Sequence, residues 1–232
     1  MTTTRIYQRI VFVLVILLAN ACDDKDTSNS QGLSSSVLLD FSSIKNKFMY
    51  KDLSEFSIDT IPWDRRPSFY HTLDTIEYYK IYQDTSKQYL GLGGGNLDIE
   101  YFYSIQKSPR GFIELTILSQ MEGEYCDILW YKIYDRTGKL MSSFPVARGC
   151  GDGGYFENAS GKFLNDSTYD LISVDNYQTV DIEQPNIITH SRTRTIIRFD
   201  GSISSKDTTL MTEVEGTGAN SALPASPRGS SI

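Results

Sequence analysis

The chain has 232 residues, 12% of them aromatic and 22% charged, and its 22 Lys and Arg against 29 Asp and Glu leave a formal net charge of −7. That acidic balance disfavours a nucleic-acid partner, because phosphate binding needs a basic surface to displace counterions. Three Cys and two His, His71 and His190, offer none of the usual zinc spacings.

The first element is a secretion signal. Arg5 and Arg9 precede an apolar run over residues 10–18, and Ala19-Asn20-Ala21-Cys22 follows. A basic start, a short apolar stretch and small residues before a cleavage point have the order of an export signal, and the run is shorter than the roughly 20 apolar residues a spanning helix needs. The segment resembles the lipobox of bacterial lipoproteins, which implies that residues 1–21 are removed and that Cys22 is lipidated as the new N-terminus. The removed segment holds two of the 22 basic residues and none of the 29 acidic ones, so the mature chain carries 20 − 29 = −9. With that charge, attraction to anionic lipid headgroups contributes little, and the lipid itself is expected to hold the protein to the membrane.

Residues 22–37 read as a tether: Asp23-Asp24-Lys25-Asp26, then a Ser-rich run with too little apolar surface to offset the entropy of ordering. An acidic cluster directly after the lipidated Cys resembles the export signal of surface lipoproteins of the Bacteroidota, which implies the outer membrane and surface exposure. In other bacteria an Asp beside that Cys resembles an inner-membrane retention signal instead. Residues 216–232, rich in Gly, Ala, Ser and Pro, read as a disordered tail.

Between them, residues 38–215 predict one all-β domain, an antiparallel sandwich or barrel. Ile99, Tyr101, Tyr103 and Ile105 alternate with mostly polar neighbours, Ser108-Pro109-Arg110-Gly111 forms a turn, and Ile113, Leu115 and Ile117 resume the alternation. Residues 125–134 are apolar on both parities and read as a central strand, returning through Asp135-Arg136-Thr137-Gly138 over residues 139–147. Strands are predicted over residues 168–175, 177–183, 187–199, 202–205 and 208–214. Residues 75–83 have helical spacing at Ile76, Tyr79 and Tyr82, but their Tyr and Ile content favours a strand.

With Cys22 lipidated, Cys126 and Cys150 remain as a pair, and exported proteins rarely keep free thiols. Folding the hairpin about residues 135–138 sets Cys126 opposite about Arg148, two positions short of Cys150, within disulfide reach if the chain bends at Gly149 or Gly151.

Few residues suggest a ligand. His190, Arg192, Arg194 and Arg198 share parity on one strand and form a cationic stripe in an acidic chain, suited to an anionic ligand. Asp181 and Glu183 on the strand before it offer cross-strand pairing as the structural alternative. The Gly-rich segment 91–96 leads into a strand rather than a helix, which argues against a phosphate loop. Residues 149–158 read as a mobile loop, with Tyr155 and Phe156 as contact residues and oxygens lacking calcium-loop spacing. No catalytic or cofactor motif rises above background, so the sequence predicts no cofactor and no metal. The expected function is a lipid-anchored envelope module, not an enzyme, that binds an unknown envelope ligand or protein. The alternatives are an inhibitor or immunity lipoprotein, which a neighbouring toxin gene would favour, and a hydrolase with dispersed carboxylates.

Overall fold

The computed structural model describes residues 38–84, 98–121, 125–178 and 186–215. The predicted tether, the tail, the glycine segment 91–96 and the carboxylates Asp181 and Glu183 lie outside them. The described chain is all-β and mostly antiparallel. Its strands are β1 (Tyr50–Lys51), β2 (Glu55–Phe56), β3 (Ile99–Gln106), β4 (Ile113–Met121), β5 (Cys126–Tyr134), β6 (Leu140–Asp152), β7 (Tyr155–Asn165), β8 (Thr168–Tyr177), β9 (Asn186–Ile197) and β10 (Ile203–Glu215). They form one sheet in the order β1-β3-β4-β5-β6-β7-β8-β9-β10, with β2 on β7.

The sheet is rolled without closing. β1 pairs in parallel with β3, while β2 takes the edge of β7 that β6 leaves beyond Ala159. Laid flat, β1 and the position of β6 would lie four strand spacings apart, about 19 Å. Lys51 and Glu55 are four residues apart and span at most about 14 Å. The sheet therefore bends back over this segment. Inside the roll sits an aromatic core, in which the Phe56 ring centroid lies 6.2 Å from Tyr131, 6.3 Å from Phe163 and 6.0 Å from Tyr169. The outer face of β3–β5 carries a second core, Phe102, Leu115, Ile117 and Tyr134, packed against Leu39, Ile44, Leu73 and Ile81. β5 is covered on both faces, as its unbroken apolar character predicts.

Several elements differ from the sequence reading. Residues 75–83 form a helix, α2 (Thr75–Tyr82), instead of a strand, and a shorter helix, α1 (Phe41–Ile44), and a 3-10 helix over Trp63–Ser68 precede it. α2 is started by a capping box: the Asp74 carboxylate accepts from the Glu77 amide and the Glu77 carboxylate from the Asp74 amide. Local capping and the burial of Ile81 outweigh strand propensity here. Residues 149–158 are a hairpin rather than a loop, because β6 runs on to Asp152 and turns at Gly153 and Gly154, both at positive φ (56° and 99°). The two short strands predicted over 202–205 and 208–214 are one long strand, β10, interrupted by a bulge at Leu210.

The disulfide between Cys126 and Cys150 is present, and the two residues are direct partners across β5 and β6. Next to the turn, Tyr134 opposes Leu140, the register the sequence predicts. Two register shifts, between Ile133 and Tyr134 and between Leu129 and Trp130, each add one residue on β6. Together they carry Cys150 the two positions needed to face Cys126.

Candidate functional site

β9 pairs with β8 and not with a strand over 177–183, since Tyr177 already opposes Ile187. Val174, Ile172 and Asp170 therefore lie opposite His190, Arg192 and Arg194 on one face. Asp170 is the carboxylate that meets the stripe. Nε of Arg194 lies 3.1 Å from its Oδ1 and Nε of Arg192 lies 3.2 Å from its Oδ2. Lys162 of β7 opposes Asp170 on its other side, and Lys206 of β10 opposes Arg194. A row Lys162, Asp170, Arg194, Lys206 thus crosses four strands, one anion among three cations. Both Arg side chains remain nearly half exposed, so each pair with Asp170 contributes only about 0–1 kcal/mol.

Arg198 stands apart from its predicted companions. It lies beyond the end of β9, about 13 Å along the chain from Arg194. There its amide donates to the Ser202 carbonyl in the tight turn that leads to β10. That turn, with the β3–β4 and β7–β8 turns, walls a cleft of about 750 Å³, lined by Pro109, Arg110, Asp166, Ile196, Arg198 and Phe199. Phe199 is 94% exposed, the most of any large apolar side chain described. In the same turn the Ser202 hydroxyl and amide both donate to Asp200, whose pKa falls first because of the hydroxyl and last because of Arg198. A second cleft of about 400 Å³ adjoins the first, sharing Pro109 and Asp166 and reaching inward to Tyr131 and Phe163.

The floor between the clefts is preorganised. The Arg110 side chain is 8% exposed; one terminal nitrogen donates to Glu114 Oε1 at 2.8 Å and the other to the Asp166 carbonyl. Glu114, itself buried, also accepts from the hydroxyls of Ser108 and Tyr131. Nε of Arg110 is buried and has no hydrogen-bond partner among the described residues. The guanidinium is locked in place with its Nε–H unused among the described residues. Arg198, by contrast, makes no ion pair among the described residues. The cleft therefore offers one fixed, charge-compensated Arg, a second Arg, Arg198, beside Asp200, and one exposed aromatic ring. Of these the sequence reading singled out Arg198 alone.

Two further polar clusters are buried. Arg66, 1% exposed, donates to both carboxylate oxygens of Asp127 at 2.6 and 2.9 Å and to Gln120 and Asp59 at 3.3 Å. Trp63 Nε1 also donates to Asp127, at 3.0 Å, and the Tyr70 hydroxyl to Asp59, at 2.8 Å. These bonds tie residues 59–70 to β4 and β5, and the role is structural. In the second cluster, Glu100 Oε2 accepts from the hydroxyls of Ser119 at 2.6 Å and Tyr82 at 2.7 Å. The Lys132 ammonium stands 3.7 Å from the centroid of the Tyr82 ring. Burial pushes the Glu100 carboxyl up to about 7, against the pull of those two hydrogen bonds and of Lys132.

Among the described residues no group of three or more His, Cys, Asp or Glu is placed to hold a metal ion, and no helix is long and apolar enough to cross a membrane. No family model, curated protein or solved structure matches the chain.

Proposed function

We propose that the chain is an exported lipoprotein, held to the cell envelope by lipid on Cys22, whose β domain binds a ligand with a ring face and an anionic group, such as an acidic saccharide. The order of Arg5 and Arg9, the apolar run and Ala21-Cys22 supports the anchor. The observation that carries the binding role is Phe199, 94% exposed on the lip of the 750 Å³ cleft beside Arg198, which makes no ion pair among the described residues. A ring in that position adds nothing to the core and leaves apolar surface in water. It suits stacking on a sugar or ring face, while the guanidinium forks onto a carboxylate or phosphate. A long polyanion is repelled by the mature charge of −9, whereas a small anionic ligand meets only the local field of the cleft.

The test is a panel of acidic and neutral oligosaccharides presented to the wild type, to Phe199→Ala, to Arg198→Gln and to the pair Arg192→Gln/Arg194→Gln. The first two variants should each weaken binding to acidic members at least tenfold, about 1.4 kcal/mol. The double variant on β9 should leave it within a factor of two or three. Equal binding by wild type and Phe199→Ala rejects the site. For the anchor, Cys22→Ala should move the protein from the detergent phase to the aqueous phase; unchanged partitioning rejects lipidation at Cys22.

A further inference from the structure

β10 is an edge strand with no neighbour on its outer side among the described residues, and it is exposed at every residue from 204 to 214. Leu210, Met211 and Val214 are 49%, 48% and 62% exposed there. An uncovered edge of this length is a template for another strand, and proteins blunt such edges with charges and bulges. β10 has both, Lys206 and the bulge at Leu210. Their arrangement fits one particular occupant. We propose that β10 pairs antiparallel with β10 of a second copy of this chain, about a two-fold axis between Thr209 and Leu210.

The register follows from side-chain faces. Lys206 opposes Arg194 and Thr208 opposes Arg192, so both lie on the face of the even-numbered β9 residues. Beyond the bulge Met211 opposes His190 and Glu213 opposes Ile188, which puts these odd-numbered residues on that same face. Ser205, Asp207 and Thr209, and then Thr212 and Val214, occupy the opposite face. Strands related by a two-fold axis keep their faces, and directly opposed residues in an antiparallel pair must share one. In a regular strand, an axis between two adjacent residues breaks this rule, because it opposes residues whose side chains alternate. The extra residue Leu210 repairs it. Lys206 then faces Glu213 of the second copy, Thr208 faces its Met211, Asp207 its Thr212 and Ser205 its Val214, all on matching faces.

Charge selects the same register. The Lys206 and Glu213 pair occurs twice, once on each side of the axis, and the bulge that would misalign a foreign strand meets its own copy. On the other face, Val214 lies in register with Ile187, Tyr177 and Tyr155, exposed by 62%, 42%, 57% and 37%. Pairing extends this apolar row against Ser205 of the second copy.

The experiment uses the full chain extracted from membranes in mild detergent. Sedimentation should show a concentration-dependent dimer. Lys206→Glu and Glu213→Lys, each alone, set like charges opposite one another twice and should raise the dissociation constant about tenfold. The double exchange Lys206→Glu/Glu213→Lys should restore it. Thr209→Cys should also form an intermolecular disulfide on mild oxidation in membranes, giving twice the chain mass on a non-reducing gel. Thr189→Cys, on the same face but one strand in from the edge, should not. A wild type that is monomeric at every concentration, or single reversals that leave the dimer intact, overturns the proposal. A double exchange that fails to restore the dimer overturns it as well.

Discussion

The polar groups that most shape this domain lie where neighbouring residues in the chain give no sign of them. Glu100 sits on β3 and looks like an ordinary outward residue of an alternating strand, yet Ser119 and Tyr82 enclose it and it is only 7% exposed. A carboxyl held up to about 7 in the fold, against its ordinary 4.5, binds more protons folded than unfolded between those two values. Its contribution to stability is therefore fully present below about 4.5 and is lost as pH rises through about 7. Glu100→Gln keeps an acceptor for the two hydroxyls and cannot ionise. Thermal melts at pH 5 and pH 8 should show the wild type losing several degrees relative to this variant at the higher pH. Parallel pH profiles for the two proteins would show that Glu100 titrates normally. Arg66 was equally hidden. It joins Asp127 across 61 residues of chain, and only the fold reveals that an Arg before Pro67 is a buried anchor.

At the scale of elements, alternation marked β3, β4 and the start of β6, and apolar residues on both parities marked β5, because one-sided or two-sided burial is written directly in residue order. Pairing was harder to read, since bulges are invisible to a counting rule. The hairpin register held at Tyr134 and Leu140 and then drifted by two residues over the two irregularities of β6, which is why Cys150 reaches Cys126 without a sharp bend. The cationic stripe was legible as parity, but its carboxylate was not. β9 pairs with residues 168–177, so Val174 stands opposite His190, where Asp181 was expected, and the carboxylate that meets the stripe is Asp170 opposite Arg194. Glycine density misled in the same way at residues 149–158, where Gly149 and Gly151 lie within β6 and only Gly153 and Gly154 turn the chain. For α2 the signal is present in Asp74-Thr75-Ile76-Glu77, an N-cap followed three residues later by Glu, and this capping box outweighs the strand propensity of the Tyr and Ile residues. The disulfide closes a loop of sequence separation 24, so Cys126→Ser/Cys150→Ser should cost roughly 3 kcal/mol in chemical denaturation. A loss below about 0.5 kcal/mol would mean that the β5–β6 ladder alone constrains that end.

The whole molecule depends on a short segment that no strand rule would emphasise. β1 and β2 contribute two residues each, yet they link the β3 edge to β7 and turn a flat sheet into a roll. Gly161, the partner of Phe56 on β7, leaves room for β8 and its Tyr169 side chain: a Cβ there would lie 2.5 Å from the Asp170 carbonyl and 2.6 Å from the Tyr169 hydroxyl. Phe56 then enters the aromatic core, 3% exposed, and the Phe163 amide donates to the Ser54 carbonyl at 2.9 Å. The rolled geometry also places Phe163, Tyr131 and Asp166 around the inner cleft that adjoins Arg198 and Phe199. Phe56→Ala should therefore cost about 3–5 kcal/mol, the range for a large aromatic removed from a core. Its effect should be uneven. Hydrogen exchange should speed up most at the Phe163 amide and its neighbours in the second half of β7, while the β5–β6 ladder beside Cys126 and Cys150 keeps its relative protection. Loss of protection spread evenly over every strand would show that the roll has no separable closure, and that β2 is one contact among many.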